Sequence, residues 1–222
     1  MIIAIDGPSG SGKTTLGRML ARELGLLYID TGSMYRAIAL AVIESSIKET
    51  DDTSVGALAT SVDIMLEGDP DSLKVTLDGR DVTERIRDED VTETSSVIST
   101  IPAVRRAMVQ RQRELGARGA VLNGRDIGTV VFPRADVKFF LTASPDKRAQ
   151  RRFDEEHAHG LTLEQVHADM VERDRRDSTR ADSPLLQARD AILIDSSGLS
   201  IDEVFATMMA EVRKRAGASP SS

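Results

Sequence analysis

Short apolar runs alternate with longer segments of helical periodicity over the first fifty residues of the chain. Residues 1–5 form a β-branched run that an Asp-Gly-Pro turn ends, which predicts a buried strand. Leucines recur at every fourth position over residues 13–24, before a glycine, and predict a helix. A second strand is predicted over 26–29 and a second helix over 31–47. This alternation of strand and helix predicts an α/β fold with a parallel sheet.

The pattern changes to short alternating pieces over about residues 62–84. The dipeptide Asp78-Gly79 lies between two short β-type runs, and it is a strong signal for a two-residue hairpin. We therefore expect an antiparallel β insertion at this point of the α/β fold.

Three further strands complete the predicted sheet. They are expected over 120–122, 137–141 and 191–194, and two helices are expected before them, over 88–99 and 104–115. The chain is thus predicted to form one domain over residues 1–222, with a five-stranded parallel sheet flanked by helices. No linker is long enough to separate a second domain, and residues 217–222 are expected to be a flexible tail.

Polar residues mark the beginnings of three more predicted helices. Ser144-Pro145 combines an N-cap serine with proline at the first helical position. The pairs Thr162 with Gln165 and Ser200 with Glu203 have capping-box spacing. The last helix is expected to pack one apolar stripe into the core. That stripe consists of Ile201, Val204, Phe205, Met208 and Val212.

Composition narrows the class of protein. There is no cysteine, which excludes a disulfide scaffold and thiol catalysis and favours an intracellular compartment. No apolar run approaches the length of a membrane span and no signal segment is evident, so we expect a soluble, cytoplasmic protein without membrane partners. The formal net charge of −7 argues against nucleic-acid binding. No additional apolar stripe suggests a subunit interface, which favours a monomer.

Residues 7–14 match the phosphate-binding loop pattern G-x-x-x-x-G-K-[ST] in full, between a predicted strand and a predicted helix. Such a loop binds the phosphates of a nucleoside triphosphate through its backbone N–H groups at a helix N-terminus. Lys13 is expected to bridge the β- and γ-phosphates and to be catalytic, and the Thr14 hydroxyl is expected to bind Mg²⁺. The candidate ATP-binding residues are Gly7, Pro8, Ser9, Gly10, Ser11, Gly12, Lys13, Thr14 and Thr15.

The phosphate-binding loop alone leaves several activities open. A GTPase would carry an Asn-Lys-x-Asp motif, and a motor protein would show an apolar run ending in Asp-Glu; the sequence has neither. A small-molecule kinase needs a second anion site that faces the γ-phosphate. Arg36 and Arg125 follow predicted strands, at the sheet edge where ligands of α/β proteins bind.

Arginines outnumber lysines 23 to 6, and two arginine clusters follow the fourth parallel strand. Each cluster contains acidic residues at helical spacing, so each could be a solvated face stabilised by ion pairs. Two such clusters in a protein with a phosphate-binding loop favour instead a helical lid over about residues 148–167 that excludes water during phosphoryl transfer. The clusters are Arg148, Arg151 and Arg152, then Arg173, Arg175, Arg176 and Arg180.

Four segments together resemble the bacterial cytidylate kinases. They are residues 6–13, 30–36, 124–133 and 172–177, and the resemblance extends over nearly the whole chain, including the β insertion that marks the bacterial form. It implies a P-loop kinase fold and transfer of the γ-phosphoryl group of ATP to CMP or dCMP with Mg²⁺. The second and third segments are far more specific to this family than the phosphate-binding loop.

The resemblance also implies roles for individual side chains. Arg36, Arg125 and Arg180 match the arginines that hold the acceptor phosphate. Ser96, Arg105 and Asp126 match the residues that read cytosine, whose 4-amino group requires an acceptor. Arg173 and Asp177 match residues at the acceptor's sugar, and Thr31 and Tyr35 match residues that line its pocket. Arg148 and Arg152 match lid arginines at the donor triphosphate and, with Lys13 and Arg125, complete the predicted catalytic set.

Asn123 departs from the family pattern, because an acidic residue often precedes Gly-Arg-Asp near the water shell of Mg²⁺. An amide oxygen can still accept a hydrogen bond from a bound water. Asp6 and Asp30 are both candidates for the missing negative charge. Two alternatives to the main prediction are another small P-loop kinase, for thymidylate or a small molecule, and a nucleotide-dependent switch or binding protein.

Overall fold

A five-stranded parallel sheet forms the centre of the molecule, in the strand order β2-β6-β1-β7-β8. The computed structural model describes residues 1–155 and 161–217. The strands are β1 (Ile2–Asp6), β2 (Leu27–Asp30), β3 (Ile64–Glu67), β4 (Lys74–Leu77), β5 (Arg80–Asp81), β6 (Ala120–Gly124), β7 (Val137–Thr142) and β8 (Ile192–Asp195). The helices are α1 (Lys13–Leu24), α2 (Thr31–Glu44), α3 (Asp52–Ser61), α4 (Glu89–Ile98), α5 (Pro102–Gly116), α6 (Pro145–Glu155), α7 (Leu163–Thr179) and α8 (Ile201–Gly217).

The sheet places the ends of β1 and β6 side by side. The two strands pair in parallel, with Ile2 opposite Ala120 and Asp6 opposite Gly124. The chain runs from β1 to β2 on one side of the sheet, whereas β7 and β8 lie on the other, so the connections diverge beside β1. In open α/β sheets this point of divergence is where a crevice forms at the carboxyl ends of the strands. The predicted α/β fold and its five parallel strands are confirmed.

The β insertion is a separate antiparallel sheet in the order β3-β4-β5. Asp78 and Gly79 both have positive φ, 49° and 76°, as the two-residue hairpin turn requires. The inner face of this sheet buries alternate residues such as Leu66 and Val75. Two ion pairs connect this region with the helices of the main sheet, Arg22 with Asp71 and Arg80 with Glu44.

Helix α3 was not evident in the sequence, because it buries only small or short side chains. Val55, Gly56 and Ala59 are its buried residues, and Asp51 caps its N-terminus by accepting from the Ser54 N–H. A Cβ on Gly56 would lie 2.6 Å from the Ala103 Cβ, so α3 packs closely on α5. A helix of this kind has little of the periodic apolar signal on which sequence prediction relies.

The ends of several helices differ from the predictions by a few residues. Helix α5 begins at Pro102 itself, since proline is well suited to the first helical position. Helix α2 ends at Glu44. The capping box at Thr162 is present in full. In the apolar stripe predicted for α8, Val204, Met208 and Val212 are buried, Phe205 is partly buried, and Ile201 is 40% exposed in the first turn.

Part of the predicted lid lies outside the described residues. Helices α6 and α7 contain most of residues 148–167, but 156–160, with His157 and His159, are not described, nor is the predicted tail beyond 217. Within the described ranges, no helix is both long and apolar enough to cross a membrane.

Candidate active site

The phosphate-binding loop connects β1 to α1 in the predicted way. A Cβ on Gly7 would lie 2.0 Å from the Leu141 carbonyl oxygen, so only glycine fits between β1 and β7 here. Gly10 has φ of 70°, and a Cβ there would lie 2.8 Å from the Arg148 carbonyl oxygen. Gly12, with φ of 90°, directly precedes the first residue of α1. The loop therefore ends at a helix N-terminus, the arrangement that binds phosphate.

Lys13 is buried beneath this loop. Its Nζ donates to the Pro8 carbonyl oxygen at 2.5 Å and approaches Ser11 Oγ at 3.4 Å. Burial, reinforced by the positive charges of Arg125 and Arg173, holds the pKa of Lys13 well below its usual value. An anion bound in the loop would raise this pKa again, because its negative charge would stabilise the protonated Lys13 ammonium.

A cleft of about 620 Å³ opens beside the loop at the carboxyl ends of the strands. Nine basic side chains and three acidic ones line it, although the whole chain carries a net charge of −7. The basic residues are Lys13, Arg18, Arg36, Arg87, Arg105, Arg125, Arg152, Arg173 and Arg180, and the acidic residues are Asp30, Asp126 and Asp177. Such a concentration of positive charge suits a ligand with several phosphates.

The beginning of α2 provides one wall of the cleft. Asp30 caps the helix, accepting from the Gly32 N–H at 3.1 Å and from Ser33 Oγ at 2.8 Å. Arg36 donates to Ser33 Oγ at 2.8 Å, and its buried Nε has no partner among the described residues. Thr31 Oγ1 donates to the Asn123 carbonyl oxygen and ties α2 to β6. Arg36 is thus held at the cleft with hydrogen-bonding capacity left for an anion.

Three cationic residues surround Asp177 on the opposite wall. Arg125 Nε donates to Asp177 Oδ2 at 2.8 Å, and Arg180 Nη1 lies 3.5 Å from Asp177 Oδ1. Despite burial, the charges of Arg125, Arg173 and Arg180 keep the pKa of Asp177 below its usual value. Burial and neighbouring arginines lower the pKa of Arg173 to about 10. The single negative charge of Asp177 neutralises only part of the charge of these three cations, so this wall keeps a net positive charge.

Asp126 and Arg105 form a buried ion pair at the inner end of the cleft. Arg105 Nη2 donates to Asp126 Oδ2 at 2.5 Å, and Arg180 Nη2 lies 3.9 Å from Asp126 Oδ1. The Arg105 guanidinium also lies 5.8 Å from the centre of the Tyr35 ring. Burial raises the pKa of Tyr35 to about 12, so the ring stays neutral. This end presents a flat ring, a carboxylate and fixed N–H donors, which suits a planar heterocycle with both donors and acceptors.

Five predicted site residues do not line the cleft: Gly7, Pro8 and Ser11 of the loop, and Ser96 and Arg148. Ser96 is buried on α4 and lines a neighbouring cavity of about 230 Å³, while Ser95 and Ser99 line the cleft itself. Arg148 donates to the Ser9 carbonyl oxygen at 3.1 Å and to Asp174 at 2.6 Å, so it joins α6 to the loop and to α7. Arg152, by contrast, lines both cavities.

Other cleft residues were missed by the sequence analysis. Arg18 follows Thr14 by one helical turn, and this spacing on α1 could have revealed it. The remaining residues carry no such signal, since their place depends on how the β insertion and α4 pack. These residues are Arg87, Thr92, Ser95 and Ser99.

The fit of Mg²⁺ can be tested at Thr14 and Asn123. Asn123 Nδ2 donates to Thr14 Oγ1 at 3.3 Å, and its buried Oδ1 has no partner among the described residues. A hydroxyl oxygen and an unused amide oxygen on two contacting side chains suit a hydrated hard cation. Asp30 lines the cleft, whereas both oxygens of Asp6 accept backbone N–H groups outside it. Within the described ranges no three acidic or histidine side chains cluster into a metal cage, so water would complete the shell.

The chain is similar over nearly its whole length to proteins of one family. A family model described as cytidylate kinase matches residues 3–214. A cytidylate kinase of Solibacter usitatus is 49% identical over 220 residues, which covers 97% of this chain and 93% of the relative. A cytidylate kinase of Mycobacterium leprae is 46% identical and covers 98% of each chain.

Solved structures of much lower identity share the fold. A gluconokinase from Sinorhizobium meliloti superposes with a TM-score of 0.51 at 14% identity, covering 96% of this chain and 91% of that one. An uncharacterized protein from Eubacterium ventriosum gives a TM-score of 0.54 at 12% identity, covering 96% and 98%. At these identities the likeness concerns the fold alone.

Proposed function

The chain belongs to the cytidylate kinase family, and on that premise we propose that it transfers the γ-phosphoryl group of ATP to CMP or dCMP, giving ADP and CDP or dCDP. The observation that carries the proposal is one continuous cleft with a phosphate-binding loop on one side and a carboxylate–arginine pair on the other. The loop takes the donor, and the pair takes the base of the acceptor.

The transfer requires no protein nucleophile. An oxygen of the acceptor phosphate attacks the γ-phosphorus, and the bond to the bridging oxygen of ADP breaks, with the two oxygens in line. The chain's contribution is to align the phosphates and to neutralise the charge that spreads over the transferred group. Lys13 acts from the donor side, and Arg36, Arg125 and Arg180 act from the acceptor side.

Base selection rests on Asp126. Its carboxylate accepts from the 4-amino group of cytosine, and Arg105 fixes the position of both. Uracil would place a carbonyl oxygen against that carboxylate and leave buried polar groups unpaired. We assign Arg173 and Asp177, which line the cleft, to the sugar of the acceptor.

We include Mg²⁺ in the proposal. Thr14 would hold it directly, and the Asn123 amide oxygen would accept from one of its water ligands. When bound, the ion neutralises phosphate charge and orients the donor. Arg148 and Arg152 belong to a lid formed around α6 and α7, which excludes water from the transfer.

The proposal extends to the setting in which the enzyme acts. One domain, working as a monomer in the cytoplasm on free nucleotides rather than nucleic acid, is consistent with the acidic net charge and the lack of cysteine.

A coupled assay of ADP formation across a panel of acceptors tests the function. The panel is AMP, CMP, dCMP, GMP, UMP and dTMP, with a control that contains ATP and no acceptor. We expect rapid turnover with CMP or dCMP, slow turnover with UMP and almost none in the control. Preference for dTMP would support a thymidylate kinase, and turnover without acceptor would support a switch protein that hydrolyses ATP.

A further inference from the structure

Asp6 is a buried carboxylate that the reaction described above does not use. It ends β1, next to Gly7 of the phosphate-binding loop, and is only 4% exposed. Its two oxygens accept from the backbone N–H groups of Ile127 at 2.8 Å and Gly128 at 2.7 Å. These two residues begin a single π-type turn, Ile127–Val131, which directly follows the cleft residues Arg125 and Asp126.

The turn begins at a residue that could itself cap these N–H groups. Asp126 occupies the N-cap position, where aspartate is among the preferred residues because its carboxylate satisfies the first N–H groups. Its side chain makes no capping hydrogen bond and instead faces Arg105 in the cleft. The carboxylate of Asp6, at the end of the neighbouring strand β1, therefore accepts the first N–H groups of the turn in place of Asp126.

Contacts with α5 and β7 also hold the turn in place. Arg113 of α5 donates to the carbonyl oxygens of Val131 at 2.9 Å and Val130 at 2.8 Å. A Cβ on Gly128 would lie 3.0 Å from Lys138 Cδ and 3.3 Å from Asp6 Oδ2, so the close approach of the carboxylate depends on glycine. Asp6 closes the side of the turn that faces β1.

We propose that Asp6 is a positioning residue that caps the Ile127–Val131 turn in place of Asp126 and thereby keeps the Asp126 carboxylate in the cleft for base selection. The inference rests on the proposed function, because it assigns base selection to Asp126. Burial raises the pKa of Asp6 to about 6 against the lowering effect of the hydrogen bonds from the Gly128 and Ile127 N–H groups, so at neutral pH the carboxylate is mainly ionised and accepts both.

Replacement of Asp6 should act on selectivity as well as rate. In Asp6→Asn one oxygen still accepts an N–H, but the amide NH₂ faces the other N–H, so the cap is half lost. The Asp126 side chain then turns back toward its own turn and away from the base. We expect kcat/KM for CMP to fall about ten- to hundredfold, with a smaller loss for UMP, so the CMP-to-UMP ratio decreases.

Two further variants separate positioning from folding. Gly128→Ala keeps the carboxylate but crowds its approach, and it should lower the same ratio. Asp136→Asn is the matched control, since Asp136 Oδ2 accepts from the Ile2 N–H at 2.6 Å, at the opposite end of the same strand. The control should retain the wild-type ratio.

Amide hydrogen exchange provides a readout that needs no substrate. In the ligand-free protein, the N–H groups of Ile127 and Gly128 should exchange faster in Asp6→Asn than in the wild type, and unchanged exchange would overturn the capping role. Faster exchange with an unchanged CMP-to-UMP ratio in both Asp6→Asn and Gly128→Ala would show that the cap serves stability alone. A wild-type enzyme inactive on CMP would contradict the proposed function instead, while the exchange data would still test the cap.

Discussion

Lys13 is a buried cleft cation whose pKa is lowered by burial and by the charges of Arg125 and Arg173. Lys13→Ala should leave the fold intact, because the side chain faces loop oxygens and not the apolar core. We expect kcat to fall by about 100-fold or more through the loss of a charge contact in the transition state. Steady-state kinetics, with circular dichroism as a check of folding, measure the effect. Near-normal turnover would contradict the role of the loop.

Asp126 provides the sharpest test of base recognition. Asp126→Asn presents an amide N–H where the carboxylate accepted, so kcat/KM for CMP should fall at least about tenfold and the CMP-to-UMP ratio should narrow. Both substrates are measured on one enzyme preparation, because displacement of Arg125 next to it would depress both rates equally. An unchanged ratio in a folded, active variant would leave Asp126 with a structural role only.

At the scale of residues, motif spacing predicts the loop, and the positions of Arg36 and Arg125 after predicted strands bring them to the cleft. The roles predicted for the other cleft arginines come from the resemblance to the cytidylate kinases. The sequence could not predict that Arg148 donates to the Ser9 carbonyl oxygen and to Asp174, or that Ser95 rather than Ser96 faces the cleft. Those facts depend on how helices rotate against each other. The hydrogen-bond partners of Asp6 could not be predicted either, because they lie more than 120 residues away in the sequence.

At the scale of elements, α6 and α7 meet the phosphate-binding loop through Arg148. Arg148→Ala should lower kcat more than it raises KM for CMP, and it should also lower the melting temperature, because it leaves Asp174 partly buried without its partner. Arg152→Ala should also lower kcat more than it raises KM for CMP.

Arg175→Ala is a suitable control for both lid variants. Arg175 is exposed on α7 and pairs only with Glu172 among the described contacts, so its removal should change neither activity nor stability measurably. If Arg148→Ala and Arg152→Ala lower the melting temperature and leave kcat unchanged, the two arginines belong to a solvated, ion-paired face and not to a lid.

The elements with a strong apolar period were predicted almost to the residue, as β1 and α1 illustrate. Helix α3 was missed because close contact with α5 through Gly56, rather than a wide apolar face, holds it in place. The β insertion was predicted because its Asp78-Gly79 turn is a local signal. Its packing on the helices, through ion pairs such as Arg22 with Asp71, could not be predicted, because these residues are far apart in the sequence.

At the scale of the whole molecule, the chain has a net charge of −7, whereas its cleft is lined mainly by cations that attract anionic substrates. Raising the ionic strength from about 0.05 to about 0.3 M should lower kcat/KM for CMP several-fold, since salt screens the attraction before contact. Stopped-flow or steady-state measurements at low CMP concentration detect the effect, and sucrose of equal osmolality is the control. A salt-independent kcat/KM would mean that the cleft charge acts only after binding.

Eight of the nine cleft cations are arginines, and an arginine side chain does not lose its proton under physiological conditions. Even Arg173, with its lowered pKa of about 10, remains charged at neutral pH. Lys13 is therefore the cation of the described cleft whose proton is easier to lose than usual, because burial and the charges of Arg125 and Arg173 lower its pKa. A change of the rate with pH then reports on Lys13, on Asp6 with its raised pKa of about 6 or on the second ionisation of the nucleotide phosphate, against an arginine background that acts as a fixed charge.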